Sequence, residues 1–154
     1  MFLVFVCNLY WQWLEEAIRD LSYAKLSHYQ RLEKAIELIV SPTKNGKEYD
    51  LPLNALINVI VDEGPKVYLT KDVDEENRQG VYLAYKTLCS TLAQFMLNVN
   101  PSYPFSHSMA TTIIEAAHDQ KFFSTHLPRL TDIDQNDDAH LTEFLIHTVA
   151  SALH

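Results

Sequence analysis

MFLVFVCNLYWQWLEEAIRDLSYAKLSHYQRLEKAIELIVS, residues 1–41, contains no glycine and no proline. These are the residues that most readily interrupt a helix, glycine through backbone entropy and proline through its missing N–H and its ring clash. Within the stretch, apolar positions recur at helical spacing: Leu14, Ala17 with Ile18, Leu21, Ala24, His28, Leu32, Ala35 with Ile36, and Ile39. The pattern predicts one long helix or two collinear ones. Unbroken over residues 2–40 it would extend about 58 Å at 1.5 Å per residue, longer than a small domain is wide, so a bend is expected near Asn8 or Ser22. His28, between Ala24 and Leu32, is expected to be a core histidine bonded to a carbonyl or a tyrosine.

Outward from this stretch the same poverty of breakers continues. The 154 residues include three glycines, Gly46, Gly64 and Gly80. The fold class that follows is all-α: a compact bundle of about five helices with a long N-terminal helix, in a single domain over residues 1–154. Ser41-Pro42 ends the first run, and Asn45-Gly46 suits a short hairpin turn between IVS and EYDL, although Pro42 opposes regular pairing. Strand is therefore expected at most around residues 39–50 and 66–70. Residues 51–63 read as a nearly all-apolar helix, with Pro52 in its first turn and Gly64-Pro65 at its end. Asp72 with Glu75 fits a capping box for the next helix, whose expected buried stripe is Val81, Tyr85, Leu88, Leu92, Phe95 and Val99. A further helix over 108–126 stops before Pro128. The last covers 139–153, with Leu141, Phe144, Leu145, Thr148, Val149 and Ala152 expected inward. No repeated consensus marks an α-solenoid, so the bundle is preferred.

Composition bounds the function. With 47% hydrophobic and 21% charged residues the chain has the apolar surface of a folded domain. A net charge of −8, with Lys and Arg scattered singly or in pairs, argues against nucleic acid. Cys7 and Cys89 sit within apolar runs, where a free thiol behaves as a small hydrophobe, and do not suggest a disulfide scaffold. MFLVFVCNLYWQWL lacks a basic leader and a small-residue cleavage site, and is too short to cross a membrane, which takes about 20 apolar residues. A cytoplasmic protein without a membrane segment is the expectation.

Four segments have the residue types for chemistry or binding. In DIDQNDDAHLTE, residues 132–143, Asp132, Asp134, Asn136 and Asp138 hold the first, third, fifth and seventh positions of a twelve-residue loop, and Glu143 holds the twelfth. This spacing resembles an EF-hand calcium loop. Its glycine position, the sixth, is Asp137, and its eighth is Ala139; Pro128 also crowds the entering helix. The plainer expectation is a capping loop, in which Asp137 or Asp138 starts the last helix.

Glu115-Ala116-Ala117-His118 is an E-x-x-H, the element used in pairs by di-iron bundles, but no second copy occurs. Helical phase puts Glu115 and His118 on a face apart from Met109 and Ile113, read as solvated. On the last helix Glu143 and His147 stand at i, i+4 within a stripe that includes His140 and His154, and suit at most a pair of transition-metal ligands. Finally Phe5, Tyr10, Trp11 and Trp13 crowd the first helix round most of its circumference. That crowding calls for a central position in the core or an interface with another chain.

No G-x-S-x-G, phosphate loop or dinucleotide fingerprint occurs, and neither cysteine has a local basic partner. The function expected is protein–protein interaction or regulation by a helical domain without catalysis, through a partner or self-association. A metal-binding protein stands second, with calcium at 132–143 or a transition metal near Glu115, His118, Glu143 and His147. An enzyme stands third.

Overall fold

The computed structural model describes residues 2–42, 75–126 and 138–154. Among them 88% are helical and none is in a strand. The proposed 51–63 helix, the Asn45-Gly46 hairpin and the Asp72 cap lie outside the described residues.

The glycine-free stretch forms α1, Phe2–Asp20, and α2, His28–Val40, parted by a 3₁₀ turn over Leu21–Tyr23. The bend thus falls at Ser22, one of its two expected places, and a capping box fixes it. Ser27 Oγ accepts the Gln30 N–H at 3.1 Å, and Gln30 Oε1 accepts the Ser27 N–H at 3.0 Å. Two donors of the new helix are thereby satisfied, which offsets the cost of restarting the helix at residue 28. The Arg31 guanidinium reaches back to the Ala24 carbonyl at 3.0 Å and holds the turn. His28 opens α2 on its exposed side, so it is not the core histidine its spacing suggested. The spacing ran through the connection, where helical phase is lost.

Next come α3, Glu75–Val99, α4, Ser106–His126, and α5, Asp138–Leu153. Successive helices alternate in direction. Asn8 lies beside Gly80, Trp11 meets Tyr85 edge to face with centroids 5.1 Å apart, and Thr91 Oγ1 donates to Glu15 at 3.0 Å, so α1 and α3 run parallel. α2 and α5 run antiparallel, joined by Ser41 Oγ donating to Asp138 at 2.8 Å. At the other end of α5, Asn100 Nδ2 donates to the Leu153 carbonyl at 3.1 Å.

Among the described residues α3 is the central helix and packs on α1, α2 and α4, while α5 lies at the periphery on α2 and α4. The core is correspondingly wide on α3, where Val81, Leu88, Leu92 and Phe95 are buried as the spacing predicts, joined by Cys89, Ala93 and Met96. On α5 it is narrow. Leu145, Val149 and Leu153 are buried, but Phe144, Thr148 and Ala152 face outward, against the expected stripe. A helix with two neighbours covers fewer of its own positions than one with three.

Gly80 lies in the interior of α3, exposed, and a methyl group there would meet the Asn8 amide at an ordinary 3.9 Å. Gly80→Ala is therefore expected to stabilise the protein by about 0.5–1 kcal/mol, since alanine gives up less backbone entropy in a helix. Chemical denaturation checks this, and a lower midpoint refutes it.

Candidate functional site

Two polar places stand out among the described residues. One is a groove of about 360 Å³ between the C-terminal end of α2 and the first turns of α5, lined by Glu37, Ser41, Asp138, Ala139, Thr142, Glu143 and Ile146. It lies where the C-terminal end of α2 is tied to the start of α5 through the Ser41–Asp138 bond. Three carboxylates give it negative character. The carbonyl end of α2 adds to that, and the amide end of α5 works against it.

Asp138 and Glu143 are the two residues of the calcium-like spacing that fall within the described chain; Asp132, Asp134 and Asn136 lie outside it. α5 already begins at Asp138, so the carbonyl of the seventh loop position is drawn into the helix, and Asp138 sits in its first turn with Ser41 bonded to its carboxylate. This is the geometry of a tethered helix start. Glu143 is exposed at the groove's edge. Among the described residues no three of His, Cys, Asp and Glu converge as metal ligands.

The other place is buried. Tyr10, 1% exposed on α1, has its hydroxyl 2.8 Å from Nε2 of His118 on α4, and His118 Nδ1 lies 2.7 Å from the Ile114 carbonyl one turn back. A carbonyl oxygen only accepts, so Nδ1 carries a hydrogen. In the neutral ring Nε2 then accepts from the phenol. The imidazole also meets Trp11 edge to face at 5.1 Å and Tyr10 at 5.7 Å. Burial holds the Tyr10 phenol well above its ordinary range.

Behind this pair the Cys89 thiol, also buried, is raised mainly by desolvation; hydrogen bonds with Thr111 and Tyr85 oppose the rise, and the charge of Glu115 adds to it. Cys7 is pushed up to about 11 by burial. Thiols held protonated and out of solvent are poor nucleophiles. Glu15, buried between α1 and α3, accepts from Thr91 and lies 3.5 Å from Arg19, which accounts for its charge without a ligand.

The E-x-x-H element is thus divided. Glu115 is exposed, whereas His118 turns into the α1–α4 contact rather than onto a solvated face. Both of its ring nitrogens are engaged inside the fold, so it has no lone pair open to a transition metal in this arrangement. The aromatic side chains offered for a core or an interface also divide: Tyr10, Trp11 and Trp13 are buried in the chain's own core, and Phe5 is 62% exposed. The Tyr10–His118 pair has no local signature, because its members are 108 residues apart. No protein-family model matches the chain, and no curated protein or solved structure matches it either.

Proposed function

We propose that the chain works through protein contacts, as a helical subunit, adaptor or regulator with no chemistry of its own. The observation that supports this reading most is the outer face of α5. Phe144 is 59% exposed there, and Thr148 and Ala152 continue its line at i+4 and i+8. An aromatic followed by small, weakly polar groups on a peripheral helix is the kind of surface that desolvates at low cost when a second helix lies against it. Self-association through this face is the form that is simplest to test. Sedimentation equilibrium on the wild type is expected to give a mass above the monomer that falls to the monomer in Phe144→Asp. Stability should change by no more than about 0.5 kcal/mol, because the position is a surface one. A wild-type mass that stays monomeric at high concentration overturns the self-associating form.

Calcium is the second reading, favoured by the presence of Asp138 and Glu143 on one groove with Glu37. If it holds, calcium at sensor-like affinity, about 10⁻⁷ to 10⁻⁵ M, raises the melting temperature through mass action, and Glu143→Gln removes most of the gain. The expected result is the opposite: no heat and no shift at millimolar calcium, since the seventh position is already helical. A saturable response that depends on Glu143 would replace the first reading.

A further inference from the structure

We propose that Tyr10 is a one-electron redox site: an oxidising equivalent entering through Tyr85 and Trp11 settles on Tyr10 as a phenoxyl radical, and His118 takes the phenol's proton. The site transforms no substrate. It goes beyond the contact reading of α5 and rests on none of its residues.

Two observations meet at Tyr10. The first is a run of rings. Tyr85, half-buried on α3, stands 5.1 Å from Trp11, which stands 5.0 Å from Tyr10, which in turn stands 6.3 Å from Trp13. Tyrosine and tryptophan lose single electrons more readily than other rings, and rings in contact pass the vacancy from one to the next. The run therefore leads from the partly open face of Tyr85 to a phenol that is 1% exposed.

The second observation is the base that waits there. The Tyr10 hydroxyl donates to Nε2 of His118 at 2.8 Å, because Nδ1–H is held by the Ile114 carbonyl at 2.7 Å and the lone pair of the neutral ring is on Nε2. A phenol that has lost an electron is a strong acid. In an apolar core it is also a costly cation, so the vacancy rests where the proton has a base to go to.

The step balances within the pair and one external oxidant. A one-electron oxidant of the small inorganic radical class, such as the azide radical, gains an electron and becomes its anion. The Tyr10 O–H bond breaks, its proton forms an N–H bond with the Nε2 lone pair, and the products are a neutral phenoxyl radical and an imidazolium. Nε2–H then donates to the phenoxyl oxygen while Nδ1–H keeps the Ile114 carbonyl, so no polar group of the pair is orphaned. The cation sits within a turn of Glu115 and Asp119, and both carboxylates favour it. A small reductant of the ascorbate class returns the electron, and the proton goes back to the phenoxyl oxygen.

Burial sets the lifetime. Exposed tyrosyl radicals disappear by coupling with one another, and a ring closed in by Trp11, Trp13 and His118 has no access to a second molecule.

The test oxidises the full chain with azide radical from pulse radiolysis and follows absorption, in which tryptophanyl and tyrosyl radicals have separate bands. In the wild type the tryptophanyl band is expected to convert, at a rate independent of protein concentration, into a long-lived tyrosyl band that ascorbate removes. Tyr10→Phe should lose the long-lived band. His118→Gln, whose amide oxygen still accepts the hydrogen bond but is no base, should lose it too, whereas Tyr23→Phe, at an 84% exposed position, should keep it. A wild type without a long-lived tyrosyl band, or one that survives in Tyr10→Phe, overturns the site; survival in His118→Gln overturns the role of the histidine. Should a variant fail to fold, pulsed electron paramagnetic resonance on wild type carrying isotope-labelled histidine decides: coupling of the radical to a histidine nitrogen supports the pair, and its absence overturns it.

Discussion

Trp13→Ala is expected to lower the melting temperature by roughly 6–20 °C, from a cost of about 3–5 kcal/mol for removing a buried aromatic side chain and about 2–4 °C per kcal/mol in a chain of this size. Trp13 is 5% exposed, and its ring lies 6.3 Å from that of Tyr10. Truncation therefore removes the bulk beside Tyr10, whose hydroxyl is bonded to His118. The void lies on α1, which packs most extensively on the central helix and cannot follow one lost side chain without leaving others. An unchanged melting temperature would show that the ring contributes no packing.

The second large effect is expected at Leu92, fully buried on α3. Leu92→Ala should cost about 2–5 kcal/mol and fall toward the upper end, because the cost grows with the cavity that remains after relaxation. α3 has neighbours on three sides, so any shift that closes the hole opens another. Leu145→Ala on peripheral α5 provides the comparison. Among the described residues that helix packs chiefly on two others and can settle inward, which places its cost toward the lower end of the same range. Guanidinium denaturation of the pair decides the point: if Leu145→Ala costs as much as Leu92→Ala, the central role of α3 is wrong.

How far the fold could be read from sequence follows from which interactions are local. The helices were legible because 3.6-residue periodicity and the absence of glycine act within a few residues. The bend at Ser22 was legible from length, since one straight rod could not fit in the domain. α3 kept its predicted face because helices pack on three of its sides, so Val81, Leu88, Leu92 and Phe95 are all covered, while Leu83 off that face is 64% exposed. α5 did not, because Phe144, Thr148 and Ala152 carry no mark that distinguishes a two-neighbour helix from a three-neighbour one.

His118 shows the same limit at the candidate site. Beside Glu115 it reads as a surface E-x-x-H, and what turns it inward is Tyr10 on another helix. Asp138 was legible as a helix start, but its tie to Ser41 spans 97 residues and leaves no trace in either segment.

The long reach of these ties bears on how the chain is made. Tyr10 waits for His118, 108 residues later, and Glu15 waits for Thr91, 76 residues later. At about 5–20 residues per second of synthesis, the first of these gaps leaves the aromatic face of α1 without its α4 partner for roughly 5–20 s. A nascent chain arrested well short of residue 118 should accordingly bind a hydrophobic dye or a chaperone through Tyr10, Trp11 and Trp13, and a chain released beyond it should not. The interval during which the growing polypeptide needs protection is thus set by the order of its helices, since the first helix to be made waits for partners on the third and fourth.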